Sequence, residues 1–171
     1  MKLIITHSIR FVLFVFIQVL VFNQLEIGWG IHPMVYPLFI MLLPFGISSI
    51  TMFFIAFFMG FFIDILSNTG GLHASSLLIL AFFRPIIFKA FSPRDGYDTN
   101  KEPSIYEMGN RWFINCFGIL LILHHSWFFV LEVFKFSEFL FVLKKIVLSV
   151  PVSYLMALLL QFLFIRVKPT K

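Results

Sequence analysis

Charged residues are scarce in this sequence. Only 12% of the 171 residues are Asp, Glu, Lys or Arg, whereas 60% are hydrophobic and 26 are Phe. Soluble domains carry roughly 25% charged residues. A chain of this length also has too high a surface-to-volume ratio to hide so many large apolar side chains. The composition therefore argues against a soluble globular domain and predicts a chain whose solvent is the lipid bilayer.

Cysteine and catalytic motifs are also scarce. Cys116 stands alone, so an internal disulfide and a CxxC motif are excluded, and we expect this residue to pack as a small side chain. The GxSxG, HExxH and P-loop motifs are absent. The run His124–His125–Ser126 contains residue types found in hydrolases, but neighbouring helical residues point about 100° apart and cannot form a triad. The sequence predicts a protein that is not an enzyme and has no catalytic residues, metal site or cofactor.

Six apolar segments set the predicted architecture, a single transmembrane domain over residues 1–171. A helix needs about 20 residues to cross a hydrocarbon core of ~30 Å. Because backbone in lipid must satisfy its own hydrogen bonds, we predict an all-α integral membrane protein, a bundle of six transmembrane helices. The predicted spans cover about residues 9–25, 32–47, 48–66, 72–91, 112–131 and 146–165. The second span is short and is interrupted by Pro37 and Pro44.

Lysine and arginine determine the predicted orientation, because they collect in cytoplasmic loops. With six spans, the basic residues at both termini and in the loop at 92–111 fall on one side of the membrane. With five spans, that loop and the C-terminal basic residues would lie on opposite sides. We therefore predict that both termini and the 92–111 loop are cytoplasmic. Since most basic residues flank a span, the net charge of +5 requires no nucleic-acid partner.

The third span carries an acid on a face of small residues. Ala56, Gly60 and Asp64 follow one another at four-residue spacing, and small residues at this spacing let helices approach closely. Asp64 and His73 flank the turn SNTGG at similar depth. We interpret them as the lock of a helical hairpin, with the carboxylate favoured near the N-terminus of the fourth span. A functional role stays open, because ionisable residues inside a membrane are candidates for a functional site.

Arg84 lies inside the fourth span and is followed by Pro85. It lies about twelve residues into the span, at roughly 18 Å of rise, which is too far from Asp64 for a salt bridge. It shares a face with Ala74 and Ala81, so we expect it to point toward a packed interface. Its expected partner is a carbonyl freed by Pro85, a lipid phosphate or another protein.

Two further stripes of small and polar residues lie on the fifth and sixth spans. The first aligns Asn115, Gly118, Ile122 and His125, and the second aligns Lys145, Ser149, Ser153, Ala157 and Gln161. We interpret both stripes as seams between packed helices, because small and polar residues are enriched at such contacts. The alternative is that they line a ligand cavity.

The stretch from Gly60 to Asp98 resembles a known family. Its sequence, GFFIDILSNTGGLHASSLLILAFFRPIIFKAFSPRDGYD, is similar to the MreD family of rod-shape-determining proteins, in the form with the turn D-x-x-S-N-T-x-G-L-H-A, then R-P and then P-R-D-G-Y. The matching motif positions include Asp64, His73, Arg84, Pro85, Arg94 and Asp95. The family has no established catalytic residues, so these positions carry no assigned chemical role.

The resemblance implies a non-catalytic scaffold in the bacterial inner membrane, within the complex for cell elongation and lateral peptidoglycan synthesis. The implied partner is a bitopic MreC-type membrane protein. Through it, the implied indirect partners are the MreB filament and the pair of a SEDS glycosyltransferase and a class B penicillin-binding protein. The alternative is the small six-span substrate-binding subunit of an energy-coupling-factor transporter. Those subunits resemble one another in a small-residue seam on the first span, whereas Arg10–Gln24 contains no Ala, Gly or Ser.

Overall fold

The described part of the chain is helical apart from its turns and one interior segment. In the computed structural model, the described residues are 2–25, 27–99 and 101–164. These residues form the helices α1 (Lys2–Leu20), α2 (Pro37–Met41), α3 (Ser49–Ser67), α4 (Leu72–Ala90), α5 (Ile105–Met108), α6 (Asn110–Val133) and α7 (Phe139–Phe164). Short 3-10 turns lie at Phe22–Gln24 and Phe136–Glu138. No β-strand occurs among the described residues.

Five of these helices, α1, α3, α4, α6 and α7, are long and apolar enough to cross a membrane. They have between 19 and 26 residues, which matches the ~20 residues that a hydrocarbon core requires. The all-helical part of the prediction is therefore confirmed. A sixth membrane-spanning helix is not found in the described ranges.

Residues 32–47, predicted as the second helical span, are helical over Pro37–Met41 alone. Pro37 begins this helix, but it lacks the N–H that would continue a helix from upstream. Pro44 likewise has no N–H with which to extend the helix. The prediction of a helical second span is corrected accordingly. We call residues 32–47 the crossing segment, because of the path described next.

The crossing segment runs through the interior of the bundle. Its residues Met34–Tyr36 and Leu38–Leu43 are at most 2% exposed. The Pro33 carbonyl accepts a hydrogen bond of 3.1 Å from Gln18, near the C-terminus of α1. We call this end of the bundle, where the α3–α4 turn also lies, the turn end.

The other end of the crossing segment reaches the opposite end of the bundle. The N–H groups of Phe45 and Gly46 donate to the carbonyls of Lys101 (3.2 Å) and Thr99 (3.0 Å), between α4 and α5. We call this the loop end; α1 and α3 begin there. An extended residue advances ~3.3 Å and a helical one 1.5 Å. A partly extended segment of this length can therefore cover a depth for which a helix needs ~20 residues.

The last two long helices extend beyond the predicted spans 112–131 and 146–165. The helix α7 begins at Phe139, and Lys145 in its second turn pairs through its ammonium with the Glu132 carboxylate at the end of α6. The predicted 92–111 loop contains α5 and the first two residues of α6. Residue 165, which closes the predicted sixth span, and the C-terminal basic residues lie outside the described ranges.

The small residues of α3 lie at a contact with α4, whereas the buried polar stripe of α7 faces the non-helical crossing segment as well as α5 and α6. Ala56 is fully buried, and a Cβ added to Gly60 would lie 2.3 Å from the Cα of Ala74 in α4, so the two backbones touch. On α7, four stripe residues are fully buried: Ser149, Ser153, Ala157 and Gln161.

The stripe of α6 does not follow a helix contact. Asn115 is exposed, and a Cβ added to Gly118 would meet open space. Only His125 of this stripe is fully buried. The buried face of α6 is instead largely aromatic and aliphatic and includes Phe113 and Phe117, because large apolar side chains fill the contact with α4 and α7.

Candidate functional site

Asp64, at the turn end of α3, holds the N-terminus of α4. Its carboxylate accepts hydrogen bonds from Thr69 Oγ1 (2.6 Å), the His73 N–H (3.0 Å) and the Ala74 N–H (2.9 Å). The first N–H groups of a helix have no intrahelical acceptor, and the helix dipole also favours a carboxylate at this position. Asp64 and His73 thus meet across the turn, but through the backbone N–H of His73 and not through its imidazole.

The His73 imidazole meets the crossing segment inside the bundle. Its Nδ1 lies 2.7 Å from the hydroxyl oxygen of Tyr36, and both residues are at most 3% exposed. The ring of His124 packs edge-on against Tyr36, with 5.1 Å between ring centroids. Neither ring nitrogen of His124 has a hydrogen-bond partner within the described residues. Tyr36 therefore fixes the position of the crossing segment between α4 and α6.

Side chains of α1 and α7 satisfy the extended backbone at the turn-end half of the crossing segment. Three backbone N–H groups each donate to a side-chain oxygen: His32 to Ser149 (3.0 Å), Met34 to Ser153 (2.9 Å) and Val35 to Gln18 (2.9 Å). Backbone groups in apolar surroundings cost several kcal/mol each when they lack a partner. The polar stripe of α7 thus binds a non-helical segment of the same chain.

His125 and Gln161 extend these contacts. The Leu121 carbonyl can only accept, so Nδ1 of His125 carries the proton in their 2.9 Å hydrogen bond. Nε2 of His125 then accepts from the Ser153 hydroxyl, also at 2.9 Å. Closer to the loop end, the Gln161 carbonyl oxygen accepts from the Ile105 N–H at 3.2 Å, which joins α7 to α5.

Arg84 binds the loop-end half of the crossing segment. Its Nη2 donates to the carbonyls of Met41 (3.3 Å), Leu43 and Pro44 (3.5 Å), and the side chain is 3% exposed. These carbonyls lie where α2 ends, so they have no helical N–H to accept from. The sequence suggested carbonyls near Pro85 as one partner; the observed acceptors lie 40 to 43 residues upstream of Arg84.

Tyr97 closes the loop end. Its hydroxyl donates to the Phe88 carbonyl (2.7 Å) and accepts from Trp112 Nε1 (3.0 Å), and its ring stacks on Phe45 with 4.3 Å between centroids. Burial raises the pKa of Tyr97 above its usual value. The loop residue Tyr97 thereby connects α4, α6 and the crossing segment.

Three of the motif positions lie apart from these contacts. Pro85 is on the exposed side of α4, and Arg94 and Asp95 are exposed in the turn that follows α4. The structure therefore does not bring all the motif residues to one site. Asp64 acts at the turn end and Arg84 at the loop-end half.

Sequence reasoning missed several residues that hold the fold. Tyr36 gave no signal, whereas Gln18, an amide within an apolar span, could have been found as a buried donor and acceptor. The pair of Arg10 and Glu102 was also missed. Arg10 Nη1 lies 2.9 and 2.8 Å from the two Glu102 carboxylate oxygens and ties α1 to the loop before α5.

Two cavities flank the loop-end half of α1. One lies between α1 and α3, has a volume of about 720 Å³ and is lined mainly by apolar side chains, with His7 and Thr51 among its polar residues. The other, of about 240 Å³, lies between α1 and α7. This half of α1 therefore leaves apolar surface open on both of its sides.

Comparison of the chain with known protein families, with curated proteins and with solved structures finds no match in any of the three. The resemblance of Gly60–Asp98 to the MreD family is therefore supported by the sequence motif of this stretch and by none of these comparisons.

Proposed function

We propose that this chain is a membrane scaffold, a non-catalytic component of the cell-elongation complex in the bacterial inner membrane that holds a bitopic MreC-type partner. The resemblance of Gly60–Asp98 to the MreD family names the complex. The contacts of the motif residues support the role.

The observation that carries the proposal is that the buried residues of the motif bind other parts of their own chain. Asp64 holds the α3–α4 hairpin, His73 and Arg84 hold the crossing segment, and Tyr97 holds the loop. A motif used in this way fixes the shape of a bundle. A fixed arrangement of helix faces is what a partner-binding scaffold requires.

We further propose that the crossing segment is the sixth membrane crossing. Its two ends bind opposite ends of the bundle, so the chain alternates in direction from α1 through α7. Both termini and the 92–111 loop then lie on one side of the membrane, where basic residues collect, and this side is the cytoplasm.

The partner's single membrane helix is assigned to the cavity between α1 and α3. The cavity is mainly apolar and open, and the α1 residues beside it include Val12, which is 50% exposed. The apolar stretches of α1 and α7 are 28% and 22% buried, against 50% in α4, and of these two exposed helices α1 borders this cavity. A second helix packed there would cover side chains that the chain itself leaves uncovered.

Site-specific photocrosslinking tests this proposal. The full-length chain would carry a photoreactive residue at Val12 or, as a matched control, at Leu155 on α7, which is 59% exposed. We expect the chain to retain a co-expressed MreC-type partner, to restore rod shape in cells lacking their own protein, and to crosslink from Val12 and not from Leu155.

Three results would count against parts of the proposal. Failure of the unmodified chain to retain the partner or to restore rod shape would contradict the scaffold function. Recovery of an energising ATPase together with vitamin uptake would favour the transporter alternative. Crosslinking from Leu155 alone would move the binding face from α1 to α7.

A further inference from the structure

A cavity of about 400 Å³ at the loop end lies beside Arg84. Its lining comes from the start of α3, the second half of α4, the end of the crossing segment and the loop that follows α4. The lining includes the two cations Arg84 and Lys89 and the hydroxyls of Ser49, Ser92 and Thr99, and among the described residues it contains no Asp or Glu. The cavity is therefore electropositive and offers several hydrogen-bond donors.

The guanidinium of Arg84 has donors that the chain leaves without a strong acceptor. Nη2 donates to carbonyls of the crossing segment, whereas the one acceptor of Nη1 within the described residues is the Met52 sulfur at 3.5 Å, a weak acceptor. Nε is buried and has no hydrogen-bond partner within residues 2–25, 27–99 and 101–164. No carboxylate in those ranges forms an ion pair with Arg84. The Phe88 ring covers one face of the guanidinium, with 4.6 Å between its centroid and Cζ, but it offers no counter-charge, so an anion beside Arg84 would be favoured.

The N-terminus of α3 contributes to the same cavity. Ser49 is the first residue of this 19-residue helix, and Ser48 caps it by accepting from the Thr51 N–H at 3.1 Å. The other N–H groups of the first turn have no intrahelical acceptor, and the helix dipole adds a partial positive charge. The helix terminus and the Arg84 side chain thus favour negative charge at one place, by independent means.

We propose that this cavity binds the phosphodiester group of an anionic phospholipid. The neighbouring surface favours a lipid over a soluble phosphate. Ile50 follows Ser49 and is 72% exposed, and Ile86 follows Pro85 and is 51% exposed. Acyl chains would lie along these apolar side chains, while the phosphate would enter the cavity at the level of the headgroups. The inference does not depend on the proposed scaffold function.

Native mass spectrometry of the full-length chain, titrated with phosphatidylglycerol in detergent, tests the site. The most informative variant is Ser49→Glu. A carboxylate at the first position of a helix favours the helix, but here it would also occupy the cavity and repel a phosphate. We expect affinity for phosphatidylglycerol to fall by about tenfold or more. Thermal unfolding without lipid should show no loss of stability.

The matched control is Asn110→Glu, which places the same carboxylate at the exposed first position of α6, also at the loop end but outside this cavity. It should leave affinity unchanged. A second pair compares Lys89→Gln, with an expected loss of about fivefold, with Lys144→Gln near the turn end, with no expected loss.

Three outcomes would overturn the proposal. The first is an equal loss of phosphatidylglycerol in Ser49→Glu and Asn110→Glu. The second is binding of phosphatidylcholine as tight as that of phosphatidylglycerol, which would remove the preference for net negative charge. The third is displacement of the lipid by inorganic phosphate at matched concentration, which would assign the cavity to a soluble phosphate.

Discussion

At the scale of single residues, Arg84 holds the loop-end half of the crossing segment. An arginine inside the membrane costs at least ~2.5 kcal/mol on insertion scales. Each buried carbonyl without a donor costs ~1–3 kcal/mol, and Arg84 donates to two buried carbonyls, those of Met41 and Leu43. The contribution of these carbonyls is therefore comparable with the insertion cost, and it acts on one segment of the backbone.

Replacing Arg84 should loosen that segment without preventing insertion. In Arg84→Leu the insertion cost disappears, but the carbonyls of Met41 and Leu43 lose their donor, so we expect amide exchange at residues 42–47 to accelerate about tenfold or more. In Arg84→Lys we expect an exchange rate between those of the unmodified chain and Arg84→Leu, because a single ammonium lacks the planar set of donors. Hydrogen–deuterium exchange with mass spectrometry measures this. Unchanged exchange at 42–47 in Arg84→Leu would contradict the assigned role.

Gly60 and Gly118 should respond in opposite directions to the same substitution. Alanine favours a helix over glycine by up to ~1 kcal/mol, so Gly118→Ala, which meets open space, should stabilise the protein. In Gly60→Ala the added Cβ would lie 2.3 Å from a backbone atom of α4, so we expect a loss of ~1–3 kcal/mol or more. Thermal unfolding in detergent compares the two variants; equal shifts would show that α3 and α4 do not touch at this residue.

The residues that could be foreseen are those whose partners are close in sequence. Asp64 lies five to ten residues from its three donors, so the turn itself indicates the contact. The acceptors of Arg84 lie more than forty residues away on average, and no local pattern identifies them. Asn115 shows the opposite case: its stripe has the spacing of a seam, but spacing alone does not say whether a neighbouring helix faces it.

At the scale of elements, the crossing segment depends on the serines of α7. A non-helical backbone inside an apolar bundle must find partners outside itself. Ser149 and Ser153 accept from it at consecutive turns of one helix face. The polar stripe of α7 and the prolines of the crossing segment are therefore two parts of one arrangement.

Removing the Ser153 hydroxyl should destabilise the crossing segment more than removing the Ser149 hydroxyl. Ser153→Ala removes the acceptor of the Met34 N–H and the donor to His125, whereas Ser149→Ala removes one acceptor. We expect losses of ~1–3 kcal/mol for each orphaned buried group, seen as faster exchange at residues 32–36. Ser75→Ala is the control, since its hydroxyl bonds within its own helix. An equal response of Ser75→Ala and Ser153→Ala would contradict this arrangement.

Apolar length was sufficient to predict five of the elements, because a long hydrophobic run in lipid has few alternatives to a helix. The crossing segment could not be derived in the same way. Its prolines were visible and limited the helix, but the partners that make a non-helical path possible belong to α1, α4 and α7. Their arrangement is a property of the assembled bundle.

At the scale of the whole molecule, the path of the crossing segment determines which surfaces share a side of the membrane. If it crosses, the loop end carries the start of α1, the 92–111 loop and the electropositive cavity together. Its partners at both ends of the bundle support this path.

Cysteine labelling on either side of the crossing segment tests this path most directly. In a Cys116→Ser background, single cysteines at Trp29, which is 77% exposed, and at Ser49 would be treated with an impermeant thiol reagent in intact cells with a permeabilised outer membrane. A sixth crossing predicts that Trp29→Cys is labelled from outside, whereas Ser49→Cys is labelled only after the inner membrane is opened. Labelling of both cysteines from the same side would show that the segment does not cross the membrane.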